Sequence, residues 1–138
     1  MDEDDRSREL PAGQATIKIV GPCKSGKSSL ARSLRDLGFR ARSCSQEHSA
    51  VPTMWQRIAP ADLLVYLDVT LEAMRSREYR SDWSEDLLAQ QHRRLAHALD
   101  HCDLYVATED LDRQQVLARV VAFLQAAEAN GDTEPADS

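Results

Sequence analysis

The residues Gly21-Pro22-Cys23-Lys24-Ser25-Gly26-Lys27-Ser28 satisfy the pattern G-x-x-x-x-G-K-[ST] at every fixed position. The chemistry that this spacing serves is phosphate binding. Glycines let the backbone curl until successive N–H groups point into one concavity, and the helix that follows adds the positive end of its dipole. Lys27 is then placed to reach the β- and γ-phosphates of a nucleotide, and the Ser28 hydroxyl to ligate Mg2+. The cradle is expected to run from Gly21 to Ser29, with Pro22 and Ser25 inside it. Cys23 and Lys24 occupy variable positions, where they shape the rim and carry no assigned chemistry.

Such a loop works only between a strand and a helix, and both flanks fit. Upstream, Ala15–Val20 is a β-rich run with Ile17 and Ile19 alternating. Downstream, a helix over Lys27–Leu37 places Leu30, Leu34 and Leu37 at helical spacing, and Gly38 follows as its C′ residue. Phe39–Cys44 alternates and reads as a second strand. Arg40 and Arg42 on one side of it suit a sheet edge.

Two acids are candidates for the remaining chemistry. Glu47, in the polar run Ser45-Gln46-Glu47-His48-Ser49, falls where the second strand ends, and ligands collect at the carboxyl ends of strands in open α/β sheets. It could orient magnesium-bound water or an acceptor hydroxyl; an ordinary polar turn has the same composition. Asp68 closes the apolar run Leu63–Leu67, a strand buried on both faces as parallel sheets require. It could serve the magnesium shell or only cap the helix beginning near Thr70.

Between these, a short helix is expected over Thr53–Ile58, with Trp55 in the core and Pro60 beyond its end. A long helix over Trp83–His101 takes Ser84 as N-cap and puts Leu88, Leu95 and Leu99 on one face. His97, His101 and Cys102 raise a metal site, which we set aside because no second ligand cluster accompanies them. A last strand, Asp103–Thr108, leads to a last helix, Asp112–Ala127, with Val116, Val120, Val121 and Leu124 inward.

The stretch Pro60–Arg77, containing Ala61-Asp62-Leu63-Leu64-Val65-Tyr66-Leu67-Asp68-Val69, resembles the segment of P-loop nucleoside, nucleotide and small-molecule kinases in which a "PDL…YLDV" strand leads to an arginine-bearing lid. The ending Asp103–Leu124 is similar to the final strand and helix of the same group. The resemblance spans about residues 15–127 and implies an ATP-dependent phosphotransferase. It implies that Arg75 and Arg77, with Arg80 as a third candidate, neutralise the transferring phosphoryl group, and that Thr108, Glu109 and Asp110 lie against the adenine. The pattern is broken in two places, and one is the lid, squeezed between Arg75 and Ser84. Only residues 45–61 fill the interval where those kinases carry a further strand and acceptor-binding helices.

Composition bounds the rest. The net charge of −6 resides in the ends, since residues 1–14 and 128–138 hold nine of the 23 acids and two of the 17 bases. The remainder is near neutral, which disfavours nucleic-acid binding. Three cysteines at unrelated spacings argue against a disulfide framework and for a reducing, cytoplasmic setting. No run approaches the ~18 apolar residues of a membrane span. No N-K-x-D guanine-reading motif occurs, so ATP is the expected nucleotide.

The sequence therefore predicts an α/β, three-layer P-loop NTPase fold with a four- or five-stranded, largely parallel sheet and helices on both faces. A flexible leader (1–14) and a disordered acidic tail (128–138) would flank one domain (15–127). The expected ligands are ATP and Mg2+, with a small-molecule or nucleotide acceptor. A nucleotide-binding module without acceptor is the competing expectation. A homodimer is compatible with the sequence but not indicated by it.

Overall fold

The computed structural model describes residues 16–57, 61–77 and 83–137, with side chains to 127. The expected leader, Pro60 and Arg80 lie outside the described residues. Four strands form one all-parallel sheet in the order β2-β1-β3-β4. They are β1 (Thr16–Val20), β2 (Arg40–Ser43), β3 (Leu63–Asp68) and β4 (Leu104–Ala107). The helices are α1 (Lys27–Asp36), α2 (Met54–Arg57), α3 (Leu71–Arg77), α4 (Glu85–His101) and α5 (Arg113–Asp137), with a 3₁₀ turn at Gln46–His48.

The period-2 alternation of β1 sorts the layers. Ile17 and Ile19 join Leu30, Leu34, Val65, Leu67, Val106, Val116 and Val120 in a core beneath α1 and α5. Val20 faces the other way, with Leu64, Tyr66, Leu95 and Ala98 beneath α4. β3 is buried on both faces from Leu64 to Leu67, as its continuous apolar run requires. β2 is an edge strand, with Ala41 buried and Arg42 exposed.

The chain leaves β1 toward β2 and leaves β3 toward β4, in opposite directions across the sheet. That reversal opens a crevice between the carboxyl ends of β1 and β3. The Gly21–Ser28 loop begins there, at the end of β1.

Local signals mark the end of α1 and the start of α4. Gly38, at φ 99°, closes α1 through its N–H to the Arg35 carbonyl, while the Phe39 N–H reaches Leu34. Ser84 caps α4 by accepting from the Leu87 N–H at 3.1 Å. Leu37 does not join the core: α1 stops at Asp36 and Leu37 is 57% exposed. Leu99 is also exposed. The buried stripe of α4 is Leu88, Gln91, Leu95 and Ala98, and Leu99 stands at its edge, about 20° beyond Leu88 and about 100° from Ala98. α5 is longer than the expected Asp112–Ala127 helix and continues to Asp137. No described helix is long and apolar enough to cross a membrane.

Candidate functional site

The loop after β1 is held by constraints that only its glycines meet. A Cβ on Gly21 would lie 2.0 Å from the Leu67 carbonyl oxygen, so the loop presses directly on the backbone of β3. Gly26 adopts φ 100° at the N-cap of α1, and Lys24 also takes a positive φ of 66°. The Ser25 N–H bonds the Pro22 carbonyl across the turn. The Ser25 hydroxyl is buried without a partner in this arrangement.

Lys27 is folded back into the loop. Its ammonium donates to the Gly21 carbonyl at 2.9 Å and the Pro22 carbonyl at 3.2 Å, and it pairs with Glu47 Oε2 at 2.8 Å. Glu47 is buried, and its other oxygen, Oε1, has no hydrogen-bond partner. An ionised group so placed is costly unless something else uses it.

The 3₁₀ turn that carries Glu47 is anchored to both neighbouring helices. Fully buried Gln46 donates to the Val51 and Arg94 carbonyls and accepts from the Trp55 N–H. From α4, Gln91 accepts from the Cys23 N–H at 3.0 Å and donates to Cys23 Sγ at 3.4 Å. Cys23 Sγ also lies 3.3 Å from His48 Nε2. Cys23 therefore joins Glu47 and His48 in one cluster, a relation across 24 positions that no local spacing signals.

A cleft of about 550 Å³ opens on the α1 side of the loop. Lys24, Ser25, Gly26, Lys27, Ser28 and Ser29 form one wall, and Arg77, Thr108 and the 111–117 segment form the other. Arg77 spans the two, donating to the Lys24 carbonyl and to Thr108 O at 3.0 Å. Burial pushes its guanidinium below the ordinary value, and it remains a cation at neutral pH. Thr108 is fully buried, with its hydroxyl donating to the Asp68 carbonyl at 2.7 Å.

Not all the expected residues meet here. Arg75 turns away and donates to the Trp83 carbonyl at 2.9 Å. Asp68 is placed on the α4 side of the sheet, because side chains alternate along β3 and Leu67 takes the α1 side. Its carboxylate accepts from the Val69 N–H, from the Tyr105 hydroxyl at 2.6 Å and contacts His92 Nε2 at 3.1 Å. Those groups line a separate pocket of about 390 Å³ that includes Glu109 but no residue of the Gly21–Ser28 loop. Nor does Asp68 cap α3, since Thr70 Oγ1 accepts from the Ala73 N–H. Burial and the Asp68 contact push the Tyr105 hydroxyl up to about 12.

His97 and His101 stack at 4.2 Å, and His97 Nδ1 accepts from the Trp55 indole at 3.1 Å. Compared with protein-family models, curated proteins and solved structures, the chain matches none.

Proposed function

We propose that the chain binds ATP through the Gly21–Ser29 loop and is a kinase-like phosphotransferase. The observation that carries the reading is the position of Lys27: at the first turn of α1, on the wall of the 550 Å³ cleft, beside a buried carboxylate. The phosphates would lie on the N–H groups at the start of α1, with the base toward Thr108 and Leu111. Lys27 would leave the Gly21 and Pro22 carbonyls for the phosphate oxygens, and Arg77 would add a second cation from across the cleft.

Of the two acids, Glu47 suits the Mg2+ shell better than Asp68. Its Oε1 is buried without a partner, whereas both Asp68 oxygens are occupied. Ser28 and Glu47 would hold the ion, which would supply positive charge to offset that of the phosphates. Glu47 is also the candidate to take the proton of an acceptor hydroxyl. Arg75, directed at Trp83, has no part in this assignment.

One observation favours a second reading, a nucleotide-binding module with no acceptor. Between β2 and β3 the described residues hold only the 3₁₀ turn and the four-residue α2. ADP release from Mg-ATP, measured with and without a metabolite mixture, separates the two. A rate that rises with the mixture and falls at least ~100-fold in Lys27→Ala supports the kinase. Binding without acceptor-dependent turnover supports the module. If wild type binds no ATP by calorimetry, both readings fail.

A further inference from the structure

Cys23, Glu47 and His48 bring three ligand types to one point. Cys23 Sγ and His48 Nε2 are 3.3 Å apart, His48 Nε2 and Glu47 Oε2 3.6 Å, and Cys23 Sγ and Glu47 Oε2 4.0 Å. Ligands around a tetrahedral zinc ion, at their usual bond lengths, stand about 3.3–3.6 Å from one another. Two of the three edges lie within about 0.3 Å of the tetrahedral values for their atom types, and the third is long by about half an ångström.

The surroundings are those of a built site. Gln91, itself buried, fixes Cys23 through both its amide oxygen and its amide nitrogen. Arg94 holds the Glu47 carbonyl, and Gln46 ties the turn to α2 and α4. The Glu47 oxygen that faces Cys23 and His48 is Oε2, which also holds Lys27, while Oε1 is buried and unpartnered. A carboxylate oxygen has two lone-pair directions, so Oε2 can accept from an ammonium and ligate an ion together. His48 is largely exposed, which gives an ion a way in and leaves a fourth position open to water.

We propose that Cys23, Glu47 and His48 form a three-ligand site for a thiophilic divalent cation of the Zn2+ type. Thiolate and imidazole select such an ion over Mg2+, which prefers oxygen donors. Binding forms an S–metal bond as the Cys23 thiol loses its proton to solvent, with no change in oxidation state. Loading pins the Gly21–Ser28 loop to the turn after β2. It also sets a second cation against Lys27 on the same carboxylate, so each weakens the hold of the other. The site shares Glu47 with the Mg2+ shell proposed for a bound nucleotide, but it is argued for the nucleotide-free protein, and either reading can fail alone.

Co2+ is the probe, titrated without nucleotide into the full chain with Cys44→Ser and Cys102→Ser. Tetrahedral visible bands with a thiolate charge-transfer band at one Co2+ per chain, both reversed by Zn2+ and unaffected by excess Mg2+, are expected. Cys23→Ser should abolish the charge-transfer band and weaken binding more than ~100-fold, beyond the usual loss of an outer-shell partner. His48→Ala, at an exposed side chain, should weaken it more than ~10-fold without unfolding. Lys27→Ala should tighten binding about tenfold by removing the competing charge, a gain that a residue of merely structural role would not give. No thiolate band in the starting protein, a band that survives Cys23→Ser, or affinity indifferent to His48→Ala overturns the site.

Discussion

Glu47 and Asp68 are both acids at the carboxyl ends of parallel strands, and they live in opposite electrostatic circumstances. The Glu47 side chain is 3% exposed, with one oxygen on Lys27 and the other on nothing. Asp68 is 24% exposed and holds Val69, His92 and Tyr105. A buried oxygen without a partner costs about 1–3 kcal/mol. Asp68, despite closing the stronger strand signal, is a fully engaged junction between β3, β4 and α4.

The contrast can be broken by substitution, and the largest effect is expected at the contact that seats the loop between the two acids. Gly21→Ala forces a Cβ onto the Leu67 carbonyl, where neither backbone can yield cheaply. Urea denaturation should show a loss above about 4 kcal/mol. A midpoint close to wild type would mean that the loop does not rest on β3.

Next is the buried pair. Glu47→Leu strands the Lys27 ammonium and should cost about 3 kcal/mol, whereas Lys27→Met with Glu47→Leu together should cost much less than the two singles summed. Strict additivity in that double-mutant cycle would remove the pair as a unit. Asp68→Asn, by comparison, keeps its shape and part of its bonding, and should cost about 1 kcal/mol. If it equals Glu47→Leu in stability or in nucleotide turnover, the ranking of the two acids is wrong.

The smallest effect separates Tyr105 from Asp68. Its folded pKa lies near 12 against an ordinary 10, so the neutral hydroxyl is the form that the fold favours. The contribution is complete below pH 10 and is lost as pH climbs toward 12. Ultraviolet titration at high pH should show a tyrosine near 12 that Tyr105→Phe removes, while buried Tyr66, pushed up further, still titrates late. A Tyr105 that titrates near 10 would mean that its bond to Asp68 is absent in solution.

Much of the frame was legible because it rests on local rules. Alternation in β1, the apolar run of β3, Ser84 before α4 and Gly38 after α1 each act within a few residues. The misread positions lie at the margins of an element, at its end or at the edge of its buried stripe. Leu37 and Leu99 have the right type for the core, but α1 ends before the first and the stripe of α4 passes beside the second. Arg75 and Arg77 share one helix two residues apart, roughly 200° of rotation, so only one can face the cleft.

The sequence by itself determined the order of strands and helices, the edge position that the arginines of β2 suggested, and a glycine-bearing loop between β1 and α1. Those follow from backbone sterics and burial of apolar faces, which neighbouring residues settle among themselves. Only the tertiary structure decided the strand order β2-β1-β3-β4, the meeting of Cys23 with Glu47 and His48, and which acid stands beside Lys27. Such relations depend on how crossovers stack distant segments across one sheet, and no periodicity within a segment encodes its distance from another.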